Sequence, residues 1–217
     1  MYATFNENLE NYRILIWNAE DDPLIQPRLA NYGYTAEKFQ EGKDLWAQTD
    51  LLGKKQDQEM SEQKAATNIF NEAWNQAISE VKRLKKLARL AFQDDDSAWN
   101  MLKLEKLNIS RFEDWQADAE LVCSNLLANA GWVTSMQTFG YTTESITALK
   151  GRVEALKCLQ QNQQREVGDA QQATDDKWKS FEELKNWCYK LREIAKIEFE
   201  DDPQLLEKLG ILARSGV

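Results

Sequence analysis

An all-α fold, arranged as two tandem up-and-down helical bundles, is predicted by three features of the sequence. Turn residues are scarce: 217 residues carry only nine Gly and three Pro, and an all-β chain needs many more. Apolar residues recur at helical spacing along most of the chain. The sequence is also written twice. Sliding it on itself by 107 positions, without a gap, aligns eighteen identical pairs, where average composition gives roughly six or seven by chance. The expected domains are therefore residues 1–107 and 108–217, one bundle per copy, related by pseudo-two-fold or translational symmetry.

Each copy reads as four helical segments. The first covers about 5–20, repeated at 112–127, with Phe112, Trp115, Ala119, Val122 and Leu126 on one face. A short piece follows at about 23–31 and 133–138. A second long helix starts at Thr35 or Thr142, with Ile146, Leu149, Val153, Leu156 and Leu159 as its stripe. A third spans about 62–92 and 169–199, and a short fourth ends each copy. Between the second and third lies a polar stretch, LQQNQQREVGDAQQAT, matched by LGKKQDQEMSEQKAAT. A turn is expected there at Gly168 or Ser61, with Asp169 as N-cap and Gln172 completing a capping-box-like pair.

The repeated Gly-Tyr-Thr-x-Glu motif comprises Gly33, Tyr34, Thr35 and Glu37, then Gly140, Tyr141, Thr142 and Glu144. Threonine at the N-cap accepts from an unpaired helix N–H, and glutamate at N2 meets the positive end of the helix dipole. Tyr34 with Phe39, and Tyr141 with Ile146, have the N′ and N4 spacing of a hydrophobic staple. The glycines stand where the preceding segment must stop. The motif thus reads as structural. Asp22–Pro23 and Asp202–Pro203 read as N-caps followed by an N1 proline, and neither acidic pair has the ligand spacing of an EF-hand loop.

Composition closes off much chemistry. The absence of histidine removes His-dependent nucleophilic triads, His-ligated metals and the Glu-x-x-His di-iron pattern. Cys123, Cys158 and Cys188 are too few and too scattered for a four-thiolate zinc site, and read as packing residues in a reducing compartment. No phosphate-cradling glycine loop occurs. No catalytic, metal or cofactor residue is therefore nominated. A net charge of −9 argues against nucleic acid and anionic membrane as partners, and no window is apolar enough to span a bilayer. The N-terminus reads as an amphipathic helix rather than a signal peptide, so a cytoplasmic location is expected.

One basic run, VKRLKKLARLAF at 81–92, is expected to turn Lys82, Lys85, Lys86 and Arg89 outward as a solvated face. Among eight tryptophans, Trp17, Trp46, Trp74 and Trp115 fall on or near the apolar stripes. Trp178 and Trp187 differ, because the first copy has Asn71 and Glu80 in their places. They mark a face used in one copy only, either packing the second copy against the first or docking a partner.

The phrases GYTTE, REVGDAQQAT and IAKIEFEDDPQLLEKLGI resemble those of a loosely defined group of bacterial helical proteins, often with two copies of such a unit. The resemblance implies a bacterial origin and a bundle fold, and transfers no activity and no functional residue. The first copy departs from it at Ser61 and Asp96. The expected function is that of a non-enzymatic interaction or scaffold protein whose partner is a protein, itself or another. A binder of a small apolar ligand between helices, or a helical enzyme using carboxylates alone, are the alternatives.

Overall fold

The structure, a computed structural model, describes residues 4–105 and 108–212; residue 107, the expected end of the first copy, lies outside them. The described residues are all-α, with no strand. They form α1 (Phe5–Asp21), α2 (Gln26–Ala30), α3 (Ala36–Ala91), α4 (Asp96–Met101), α5 (Phe112–Ala128), α6 (Ala130–Gln137), α7 (Thr143–Glu198) and α8 (Pro203–Lys208). Among the described residues, no helix is long and apolar enough to cross a membrane.

The expected helical hairpin is replaced by a continuous helix in each half. α3 and α7 each run for 56 residues, straight through Ser61 and Gly168, so Asp169 is an interior helix residue and caps nothing. The reason is local. The polar stretches consist largely of Gln, Glu, Lys, Arg and Ala, all good helix formers, with no proline. One interior glycine costs only about 1 kcal/mol relative to alanine, too little to stop a helix that otherwise continues.

This continuity changes the compact units. Unit 1 comprises Met1–Met60 and Asp169–Val217, and unit 2 comprises Ser61–Gly168. Neither coincides with the expected domains 1–107 and 108–217. In unit 1 the first section of α3 and the last section of α7 run antiparallel. Trp187 packs on Gly42, Thr49 and Ser180 share a buried hydroxyl hydrogen bond of 2.8 Å, and Lys177 donates to Gln56. The core joins Leu15, Ile16, Leu29 and Phe39 to Leu184, Cys188, Leu191 and Phe199. In unit 2, Val81, Leu84, Ala88 and Phe92 of α3 pack with Trp115, Val122 and Leu126 of α5 and Ile146 and Val153 of α7.

Helix ends are set by chemistry that the sequence carries. Thr4 and Glu7 form a reciprocal capping box at α1. Asp95 Oδ1 accepts from Ala98 N–H at the start of α4, and Asn129 Oδ1 accepts from Trp132 N–H at α6. Asp22, expected to open a helix before Pro23, instead ends α1. Its carboxylate accepts from Leu24 N–H, and the proline at the start of α2 is Pro27. Asp202 is the N-cap residue of α8, but its side chain makes no capping bond; it pairs with Arg28 at 2.6 Å.

Candidate functional site

The Gly-Tyr-Thr-x-Glu residues lie at two helix junctions. Gly33 and Gly140 have φ of 86° and 81°, the left-handed region in which a Cβ is penalised. At each, the glycine N–H bonds three residues back and the next N–H five back: Gly33 to Ala30 and Tyr34 to Leu29, Gly140 to Gln137 and Tyr141 to Met136. This is the Schellman closure. Beyond it, Thr142 Oγ1 accepts from Ser145 N–H while Ser145 Oγ accepts from Thr142 N–H. Glu144 is held below its ordinary carboxylate range, first by its own backbone N–H and then by the Thr142 hydroxyl. The Tyr34 ring lies 5.8 Å from Phe39, and both are buried. Thr35 accepts Phe39 N–H at its carbonyl, and Glu37 lies in the first turn of α3.

Trp178 and Trp187 are not brought together. Trp187 is buried in unit 1, its ring edge-on to Tyr34 at 5.6 Å, so it offers no docking surface. Trp178 is half exposed and edges an aromatic group with Phe5 and Phe181, over which Lys177 places its ammonium 4.1 Å from the Phe5 ring.

Four acidic groups at helix ends are engaged structurally. Asp95 Oδ2 accepts from Trp132 Nε1, Asp22 pairs with Lys208, and Arg28 binds Glu198 and Asp202 together. Burial pushes the Cys123 and Cys188 thiols up to about 12, which keeps them protonated and unreactive; Cys158 is exposed.

The basic run holds the feature that sequence reasoning missed. Lys82, Lys85, Lys86 and Arg89 are spaced i, i+3, i+4 and i+7, so they share one face of α3. That face lines a cavity of about 650 Å³ in unit 2, closed by Trp99, Leu104, Glu105 and Ile109. Lys85, expected to point outward, is only 3% exposed. It sits on the edge of the Val81–Leu84–Ala88 stripe, where its four-carbon stem packs as an apolar side chain would.

The wall opposite α3 is pinned in place. α4 ends with Lys103 at φ 45°, and Leu104 N–H closes back to the Trp99 carbonyl at 3.1 Å. Arg89 then grips the following strand of chain: Nε donates to the Leu104 carbonyl and Nη2 to the Glu105 carbonyl. Lys103 pairs with Asp118, so that carboxylate is occupied. Among the described residues Lys85 makes no hydrogen bond or ion pair. Its pKa is lowered from 10.5, first by desolvation; Asp118 and Glu105 act against the shift through space, Arg89 and Lys103 with it. The Trp99 indole N–H is also buried without an acceptor. The cavity thus has apolar residues, four cations and the Glu105 carboxylate in its lining, with Lys85 a cation that has no partner among the described residues.

Two signals for this site were present in the sequence: the four-cation stripe, and its proximity to the apolar stripe. What the sequence lacked was the placement of Leu104, Glu105 and Ile109, which line the same cavity as Lys85. Comparison of the chain with protein-family models, with curated proteins and with solved structures finds no match in any of the three.

Proposed function

We propose that this protein is a non-enzymatic binding protein, built by duplication of one helical unit, that takes up a small ligand with an apolar body in unit 2. The observation that carries this reading is the cavity of about 650 Å³ walled by Trp99, Leu104 and Ile109. Its size falls within the range of ligand pockets in proteins, and apolar walls with a few placed polar groups are their usual makeup. Several carboxylates that a carboxylate-only enzyme could use are engaged in caps and ion pairs instead.

The duplication is supported by equivalences at an offset of 107. The bounds of α1 and α5, α3 and α7, and α4 and α8 differ by that number at each end. Asn18 donates to the Lys208 carbonyl and Asn125, its equivalent, to the Met101 carbonyl, each at 2.6 Å. Each bond joins a residue of one sequence copy to a residue of the other, as expected when each compact unit draws on both copies. Three free thiols support a reducing compartment.

Titration with the neutral fluorophore N-phenyl-1-naphthylamine and the anionic 8-anilinonaphthalene-1-sulfonate tests the reading. One saturable site for either, abolished by filling the cavity with Ile109→Trp, supports it; no saturable binding of either overturns it. A second reading, docking of a protein through the Trp178–Phe5–Lys177 surface, is favoured by the half exposure of Trp178, since tryptophan is enriched at binding hot spots. Loss of a captured partner with Trp178→Ala, without loss of fluorophore binding, supports that second reading.

A further inference from the structure

Four cations and one carboxylate line the unit 2 cavity, and the cation at its base is Lys85, nine-tenths buried and unpartnered among the described residues. The Lys85 stem is buried while its ammonium keeps contact with solvent, so a cation without a counter-ion is presented to the cavity that it lines. The missing partner is an anion with hydrogen-bond acceptors, because an ammonium is a donor only.

Two carboxylates lie near: Asp118 is paired with Lys103, and Glu105 lines the cavity but makes no ion pair with Lys85 among the described residues. Arg89 spends its donors on the Leu104 and Glu105 carbonyls, which holds the wall in place and leaves Lys82, Lys85 and Lys86 to face a guest. The positions 107 further on provide an internal contrast. There Lys82, Lys85, Lys86 and Arg89 correspond to Tyr189, Arg192, Glu193 and Lys196, and Lys196 pairs with Glu193 at 2.6 Å. That stripe carries two cations and one carboxylate, whereas the unit 2 stripe carries four cations and no carboxylate.

We infer that the unit 2 cavity binds an amphipathic anion, with its carboxylate or phosphate head on the Lys85 ammonium beside Lys82 and Lys86, and its apolar body against Trp99, Leu104 and Ile109. This inference rests on the proposed ligand-binding reading and adds the chemistry of the head group. Charge-assisted hydrogen bonds are the stronger class, and an enclosed cation strengthens them further because the surrounding dielectric is low.

The test is calorimetric titration of the full chain with monomeric decanoate, decyl phosphate, decanol and inorganic phosphate. Decanoate or decyl phosphate is expected to bind with one-to-one stoichiometry, and the tighter of the two identifies the head group. Decanol is expected to bind roughly 10- to 100-fold more weakly, the loss of one hydrogen bond to a charged group; inorganic phosphate, lacking the apolar body, is expected to bind weakly as well. Lys85→Met is expected to bring decanoate to the level of decanol while leaving decanol binding intact, which shows that the cavity persists. Equal binding of decanol and decanoate to the native chain overturns the anion assignment and leaves the ligand-binding reading standing. Failure of all the decyl compounds to bind overturns both. Inorganic phosphate binding as tightly as decyl phosphate, or decanoate affinity unchanged by Lys85→Met, also overturns the assignment.

Discussion

Replacing Lys85 with methionine is expected to stabilise the ligand-free protein. Lys85 is 3% exposed, and its ammonium has no hydrogen bond or ion pair among the described residues. Methionine keeps the length and most of the packing volume of the stem and removes the charge. Mutational data put a fully buried polar group without a partner at about 1–3 kcal/mol; the Lys85 ammonium keeps contact with solvent, so about 1 kcal/mol is expected. For a chain of this size that raises the melting temperature by about 2–4 °C, read by calorimetry at neutral pH. The control is Lys82→Met on the exposed part of the same stripe, where surface substitutions stay within about 0.5 kcal/mol. The pH dependence gives a second handle. Because the folded-state pKa of Lys85 is lowered from 10.5, the unfolded chain binds more protons between the two values and stability rises with pH there. The advantage of Lys85→Met should therefore shrink as pH approaches 10.5. A fall in melting temperature for Lys85→Met, with Lys82→Met neutral, would show that the ammonium is held by a stabilising contact and would refute the reasoning.

Further outcomes follow from other parts of the molecule. Lys103 closes α4 at φ 45°, while Gly210 closes α8 at φ 70° with the same hydrogen-bond pattern. Lys103→Gly should therefore exceed Lys103→Ala in stability by about 1 kcal/mol, and Gly210→Ala should lose a similar amount, both read from urea midpoints. Gly42→Ala places a Cβ 2.6 Å from the Trp187 ring, so overpacking should cost about 1–3 kcal/mol, with partial rescue by Trp187→Leu. Glu198 is held below its ordinary value of 4.5 by Arg28 first and then by Tyr32. Its contribution is present above 4.5 and lost as pH falls through the lowered value, so Glu198→Gln should flatten the acid limb of the stability curve. A thiol reagent should titrate one cysteine, Cys158, in the native protein and all three in denaturant.

What was legible in the sequence, and what was not, separates along one physical line. Helical periodicity placed α1 and α5 to within a residue, because amphipathic stripes and caps are local signals. Gly33 and Gly140 mark chain reversals because their backbone requires φ above zero. Gly168 does not: it lies within a helix-favouring run and adopts helical geometry, so glycine alone was an insufficient turn signal. That single misreading altered the composition of both compact units, since a helix that fails to turn delivers its second half to a different set of neighbours. Trp187 was identifiable as unusual because its counterpart is Glu80, but its burial against Tyr34 and Gly42 depends on tertiary contacts. Lys85 was read as solvated because a cationic stripe beside an apolar one normally is. Leu104 and Glu105 line the same cavity and are held by Arg89 and by the Leu104–Trp99 bond, contacts that lie 15 and 5 residues apart along the chain.

The most direct measurement of ligand capture at Lys85 is an indole N–H spectrum of the protein labelled with ¹⁵N-tryptophan, recorded as decanoate is added. Eight tryptophans give eight signals, assignable by single Trp→Phe replacements. The expected result is a saturable shift of the Trp99 signal, with Trp178 and Trp187 unmoved, and loss of that shift in Lys85→Met. Movement of Trp178 with Trp99 unmoved, or no movement at all, would contradict capture of the anion in the unit 2 cavity.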